Sequence, residues 1–103
     1  MSSGTFGWAI KQAQNGSKVT RSGWNGKGMF IVYMPPLALL PYNAQEPGQR
    51  VNDRTAKFVG KDTALNVLPY FALFTATREW LPGWPASHTD MLATDWEVVP
   101  DVS

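Results

Sequence analysis

The first apolar positions of the chain recur at the spacing of an α-helix. They lie three or four residues apart between residues 6 and 14, so they share one helical face. Thr5 has the side chain of an N-cap, and Gly16 is placed to end the helix. The pattern therefore predicts a short amphipathic helix from Phe6 to Gln14, whose apolar face comprises Phe6, Ala9, Ile10 and Ala13.

Two strand patterns follow this helix. Lys18 to Arg21 alternates in the manner of an edge strand, and Met29 to Met34 is rich enough in β-branched and aromatic residues to be a central strand. The segment between them contains Asn25-Gly26, the dipeptide that tolerates positive φ at both positions of a tight primed turn. We expect a β-hairpin here.

A long excursion separates this hairpin from the rest of the chain. Pro35 and Pro36 end the second strand, and residues 37–66 are polar, turn-rich and without clear periodicity. Thirty such residues in a small domain are typical of a functional or oligomer-forming segment. Within it, Arg54 to Val59 fits either a helical turn or a short strand, and the sequence leaves both open.

The C-terminal third alternates between strands and turns. Val67 to Thr75 has the composition of a buried strand, with Pro69 near its start, and Thr77 to Gly83 has that of a turn. Ser87 and Asp90 then match a capping pattern that opens a short helix through Leu92 or Ala93. Trp96 to Val99 is predicted to be the closing strand.

This order of elements predicts an α+β fold. We expect a small antiparallel β-sheet with an N-terminal helix packed on it and a second short helix near the C-terminus. The length of 103 residues fits one domain with one core, so residues 1–103 are treated as a single domain.

Composition excludes several classes of function. The net charge is only +1, and no basic run is present to follow a nucleic-acid backbone, which argues against binding of nucleic acid polymers. With no cysteine and one histidine, the chain lacks the ligands of zinc and iron–sulfur sites, so we expect no cofactor and no metal. The apolar runs are too short to span a bilayer, and residues 1–8 do not resemble a signal peptide, so the expected location is the cytoplasm.

The first candidate binding segment runs from Arg21 to Gly28. Its glycines allow backbone N–H groups to approach an anion, Lys27 adds a positive charge, and Trp24 offers a face for base stacking. The competing interpretation is a stable hairpin turn with Trp24 packed on the sheet. Local evidence favours this competing interpretation.

The second candidate segment runs from Trp84 to Trp96. The N–H groups at the start of the helix after Ser87 provide donors for an anion, and Trp84 precedes them as a second aromatic wall. Mutual capping by Ser87 and Asp90 explains both residues without a ligand, and local evidence favours it. Trp96 is expected in the core, and His88 on the surface of the first helical turn.

Catalytic chemistry has no positive signal in the sequence. Asp90, Asp95 and Glu97 lack the glycine-flanked acidic loop of a dedicated cation site, and a single histidine does not make a triad. We therefore predict no catalytic residues.

The two candidate segments together resemble the Thoeris anti-defense 2-like family, a small phage and prophage domain. The resemblance covers Phe6 to Val99, and its most specific parts are RxGWNGKGM and WxASxTDMLAxDWE. Departures from the family pattern are His88, where glutamine is commoner, Pro85, which replaces an aliphatic residue, and the turn Thr77-Arg78-Glu79-Trp80. Pro85 and His88 flank the expected anion site.

The resemblance implies a sponge for cyclic nucleotide signals. Members of this family bind cyclic ADP-ribose isomers made by bacterial antiphage systems, and some bind cyclic oligonucleotides. They do not cleave these molecules, and they form homotetramers with pockets between subunits. Carried over to this sequence, and combined with the charges of the first segment, the resemblance implies ligand binding by Arg21, Trp24, Asn25, Gly26, Lys27, Gly28, Trp84, Ser87 and Asp90.

Two other classes of function remain open at this stage. One is an enzyme that degrades such a signal, with Asp90 or His88 as acid or base. The other is a structural or protein-interaction module of phage origin, in which every tryptophan lies in the core or at a subunit interface.

Overall fold

A computed structural model of the protein describes residues 4–46 and 48–100. Its elements in chain order are α1 (Phe6–Gln14), β1 (Lys18–Arg21), β2 (Phe30–Met34), β3 (Leu37–Leu39), α2 (Asp53–Val59), β4 (Leu65–Val67), β5 (Tyr70–Phe74), β6 (Trp80–Pro82), α3 (His88–Leu92) and β7 (Trp96–Val99). The predicted α+β class is confirmed, with helices at both ends of the chain.

Residues 4–34 and 70–100 form one compact unit, and residues 35–46 with 48–69 form another. The first unit contains a five-stranded sheet in the order β6-β5-β2-β1-β7, in which every neighbouring pair is antiparallel. β2 is the central strand, as predicted. β1 lies between β2 and β7, so its assignment to an edge was wrong: the closing strand β7 pairs with it along its whole length.

Helix α1 begins and ends where the sequence predicts. Thr5 accepts a hydrogen bond from the Trp8 N–H, and Gly16 adopts a φ of +100° just beyond the C-cap, a conformation that favours glycine. Ala9 and Ala13 are 1% exposed. Small side chains on this face let the helix approach the sheet closely.

The core of the first unit lies between α1 and one face of the sheet. It comprises Ala9, Ala13, Val19, Ile31, Leu73 and Trp96. Val19, Ile31 and Leu73 are neighbours across three adjacent strands, so they form a continuous apolar row under the helix. Trp96 is 3% exposed, which confirms its predicted place in the core.

The second unit gives the long excursion a structure that its sequence did not predict. β3 and β4 pair as a two-stranded antiparallel sheet, and Asn52 caps α2 by accepting the Thr55 N–H. The segment from Arg54 to Val59 is therefore helical. Val51 and Ala56 are the buried apolar residues of this unit.

Two predicted boundaries near the C-terminus were wrong. The single strand predicted from Val67 to Thr75 is two strands, β4 and β5, because the chain leaves one sheet before Pro69 and enters the other after it. The turn predicted over residues 77–83 ends early, and its second half is β6. Arg78 supplies the tight turn with a φ of +65°. Within the described residues, no helix is long and apolar enough to cross a membrane.

Candidate functional site

The loop between β1 and β2, residues 22–29, is wider than a two-residue hairpin. β1 and β2 pair antiparallel, as predicted, with Val19 opposite Ile31. Neither Asn25 nor Gly26 has a positive φ, so the expected tight primed turn was wrong; Gly28 takes the positive value instead, at +78°. Gly26 is needed for close approach, since a Cβ there would lie 2.7 Å from the Ala76 Cβ.

This loop forms one wall of a cavity of about 390 Å³. That volume is in the range of pockets that hold small organic ligands. The opposite wall comes from β7 and the residue after it. The cavity is lined by Thr20, Arg21, Ser22, Trp24, Gly26, Lys27, Gly28, Met29, Phe30, Glu97, Val98, Val99 and Pro100.

Asp90 joins the second predicted segment to this loop. Its Oδ1 accepts hydrogen bonds from the Trp24 Nε1 at 3.0 Å and from the Arg21 guanidinium at 2.8 Å, and its Oδ2 accepts the Ser87 N–H at 3.1 Å. The residue is only 8% exposed. A carboxylate this buried is retained because it is fully hydrogen-bonded.

Asp95 is the second carboxylate at this junction. Its Oδ1 accepts the Arg21 Nε–H at 2.8 Å, and its Oδ2 accepts the backbone N–H of Gly23 at 2.7 Å. The Ser22 hydroxyl lies 3.4 Å from Oδ2. Asp95 thus holds the start of the loop through the backbone of Gly23 and through the side chains of Arg21 and Ser22.

These contacts shift the pKa values of all three charged groups. Burial opposes ionisation of Asp90, but hydrogen bonds from Trp24, Ser87 and Arg21 outweigh it and lower the pKa of Asp90. The hydrogen bond from Arg21, followed by that from the Gly23 N–H, lowers the pKa of Asp95. The hydrogen bonds to Asp95 and Asp90 raise the pKa of Arg21. The charged form of each group is therefore favoured.

Three tryptophans meet next to this network. Trp24 packs edge-on against Trp84 and Trp96, with ring centroids 6.3 and 5.3 Å away, and the Trp84 and Trp96 centroids are 6.1 Å apart. The Trp96 Nε1 donates to the Asp90 carbonyl oxygen at 2.9 Å. Trp24 and Trp84 are half-buried, so each combines a packed side with a partly accessible one.

Five of the predicted site residues line the cavity: Arg21, Trp24, Gly26, Lys27 and Gly28. The other four, Asn25, Trp84, Ser87 and Asp90, are not among its lining residues. Trp84 and Asp90 lie behind the loop, in contact with Trp24, and Asn25 is exposed.

The start of α3 is occupied by a capping box. Ser87 accepts the Asp90 N–H through its hydroxyl, and Asp90 accepts the Ser87 N–H through its carboxylate. The predicted cap and helix are confirmed. One of the N–H groups predicted to bind an anion, that of Asp90, is consequently already bonded within the chain. His88 is exposed on this helix, as expected.

Sequence reasoning missed several residues of this region. Asp95 and Glu97 had been considered only as cation ligands, and Thr20 had not been placed in a binding site at all. Thr20 and Glu97 are paired across β1 and β7, so the alternation of these two strands places them on one face. Among the described residues, no group of three His, Cys, Asp or Glu side chains is arranged to hold a metal ion.

A second cavity, of about 710 Å³, lies within residues 35–69. Its lining includes Tyr42, Arg50 and Arg54. Arg50 donates to the Tyr42 carbonyl oxygen at 2.6 Å and lies over the Tyr42 ring, so its guanidinium is used to hold the local chain.

Comparison with known proteins gives two matches. The model of the Thoeris anti-defense 2-like domain matches residues 4–99. Thoeris anti-defense 2 of Bacillus phage SP01 is 32% identical over 98 residues, which cover 92% of this chain and 93% of that protein. Both matches include the cavity loop and the α3 segment.

Proposed function

Because the chain belongs to the Thoeris anti-defense 2-like family, we propose that it counters antiphage defence by binding a cyclic nucleotide signal and holding it without cleavage. Cyclic ADP-ribose isomers are the ligand class we favour, with cyclic oligonucleotides as a further class. Its site of action would be the cytoplasm of the infected bacterium.

The observation that carries this proposal is the cavity beside the 22–29 loop. It combines the partly accessible indole of Trp24, the backbone of Gly26 and Gly28, and the ammonium group of Lys27. A cyclic ADP-ribose isomer carries an adenine ring and a pyrophosphate. An aromatic surface suits the ring, and N–H donors with a nearby cation suit the pyrophosphate.

The hydrogen bonds of Asp90 and the position of His88, the candidate acid or base of an enzyme, favour sequestration over catalysis. Asp90 is held ionised by several hydrogen bonds, and His88 is not among the residues that line the cavity. A general acid or base must reach the proton that it transfers. Neither of these side chains is placed to do so within the cavity.

The test is a thermal-stability panel of cyclic ADP-ribose isomers and cyclic oligonucleotides. A ligand at one hundred times its Kd stabilises a fold by about 2.7 kcal/mol, which raises Tm measurably. The bound molecule is then released by heating and identified by mass spectrometry. We expect the intact ligand; a converted product would indicate an enzyme, and no shift with any nucleotide would indicate an interaction module.

A matched pair of variants locates the ligand. Lys27→Ala should weaken binding and reduce its salt dependence, because Lys27 lines the cavity. Lys57→Ala removes an exposed lysine from α2 and should bind like the parent. Equal effects of the two substitutions would place the ligand elsewhere.

A further inference from the structure

Two carboxylates converge on the start of the cavity loop. Asp90, in α3, and Asp95, just before β7, contact four successive residues of the chain between Arg21 and Trp24. The Ser22 N–H also donates to the Asp95 carbonyl oxygen at 3.2 Å. The first residues of the loop are thus joined to the C-terminal part of the chain by hydrogen bonds from both charged and neutral groups.

Two of the Arg21 N–H groups are used in this attachment. Its Nε–H donates to Asp95 and its Nη1 to Asp90, each at 2.8 Å, and its side chain is 13% exposed. One guanidinium between two carboxylates leaves the three groups with a net negative charge. Such a group repels a pyrophosphate, so Arg21 is poorly suited to bind an anion even though it lines the cavity.

Gly23 is the point at which the backbone of the loop meets the Asp95 carboxylate. Its N–H is 2.7 Å from the Asp95 Oδ2, and a Cβ at position 23 would also lie 2.7 Å from that oxygen. The Gly23 backbone therefore lies directly against the carboxylate, and a side chain at position 23 would require the carboxylate to move.

We propose that Asp95 is a positioning residue of the binding site: through Gly23 and Arg21 it fixes the 22–29 loop in the conformation that forms the cavity. Arg21 serves the same purpose and does not contact the ligand. This inference rests on the proposed function for its effect on affinity, whereas its effect on the loop is independent of any ligand.

The direct measurement is hydrogen exchange of the Gly23 amide in the ligand-free protein, followed by NMR. Asp95→Asn keeps the size of the side chain but removes its negative charge and one of its two acceptor oxygens, so the Gly23 N–H loses its charge-assisted hydrogen bond whichever way the amide turns. We expect exchange at Gly23 to become at least about tenfold faster, in line with loss of one hydrogen bond to a charged group. The Ala9 amide in α1 serves as the internal reference and should be unchanged.

The binding measurement uses calorimetry with the cyclic ADP-ribose isomer that stabilises the parent most. Asp95→Asn should weaken binding about tenfold, a loss typical of one charge-assisted hydrogen bond. Arg21→Lys keeps the positive charge but cannot bond both carboxylates as the forked guanidinium does, and it should weaken binding to a similar extent. Glu46→Gln removes an exposed carboxylate far along the chain and should bind like the parent.

The outcomes separate this inference from the proposed function. Unchanged exchange at Gly23 in Asp95→Asn, or equal acceleration at Gly23 and Ala9, would overturn the positioning role. So would full binding by Asp95→Asn or by Arg21→Lys. If the parent binds no isomer, the proposed function fails, and the exchange result alone decides whether Asp95 fixes the loop.

Discussion

The rings of Trp24 pack against the core, and its Nε1–H donates a hydrogen bond to Asp90. Its position between Trp84, Trp96 and the cavity means that it contributes to stability as well as offering a surface to a ligand. The sequence offered both roles, packing on the sheet and base stacking, and local evidence favoured packing. The partners in that packing lie sixty or more positions away, and the local pattern does not identify them.

We predict that Trp24→Phe lowers the free energy of unfolding by about 1–3 kcal/mol. Phenylalanine keeps an aromatic contact with Trp96 but removes the donor to a buried carboxylate, and hydrogen bonds to charged groups have this magnitude. Urea unfolding followed by circular dichroism measures the loss.

The control is Trp80→Phe, since Trp80 is 46% exposed at the edge of the sheet and should cost little. A Trp24→Phe protein as stable as the Trp80→Phe protein would mean that the indole–carboxylate bond contributes nothing.

At the scale of elements, α3 and the segment that follows it supply two carboxylates, Asp90 and Asp95, that hold the start of the cavity loop by hydrogen bonds. The pKa values of both Asp90 and Asp95 are lowered in the folded protein. A carboxyl group whose folded pKa lies below its unfolded value stabilises the fold above the unfolded pKa. That contribution is lost as the pH falls through the folded pKa.

We predict that stability falls steeply below about pH 4, the region in which unfolded aspartates begin to bind protons. Asp90→Asn should be less stable at pH 7 and should lose less on acidification than the parent. Urea unfolding at several pH values between 7 and 3 gives both quantities.

The comparison variant is Asp62→Asn, which alters an exposed carboxylate that bonds Asn43 in the second unit. Identical acid responses of the parent and Asp90→Asn would contradict the assignment.

The sequence predicted those elements whose signals are local. The caps at Thr5 and Ser87, the helical spacing in α1 and the β-branched run in β2 all lie within a few residues of the elements they define. The interior place of β1, the division at Pro69 and the role of Asp95 depend on pairing between distant segments. Local patterns do not contain that information, and the turn predicted at Asn25-Gly26 was wrong because the positive φ of this loop falls at Gly28.

At the scale of the whole molecule, the second unit carries large apolar side chains that are open to solvent. Phe58 is 78% and Leu68 is 80% exposed. Large apolar side chains that are open to solvent in this way can pack in an interface with another protein surface. Together with the precedent implied by the family, they support a homo-oligomer, and we propose a homotetramer.

We predict that Phe58→Asp reduces the assembled mass of the protein without unfolding it. A carboxylate placed in an apolar interface is costly, whereas Phe58 contributes little to the fold of a single chain because it is so exposed. Light scattering at micromolar concentration measures the mass, and circular dichroism checks the fold.

Lys57→Asp introduces the same charge at the neighbouring, exposed position of α2 and should leave the assembly intact. A parent protein that is monomeric in this measurement would refute the oligomer itself.

The register of β2 with β5 brings together the two ends of the segment between these strands. Met34, the last residue before the second unit, is paired with Tyr70, the first residue of the strand after it. The ends of the intervening chain are therefore as close as the two ends of a hairpin turn, and the free energy of closing a loop rises only slowly with its length. The pairing of β2 with β5 therefore sets little limit on the length of the segment between them, and the sheet that carries the cavity can keep its register when that length changes.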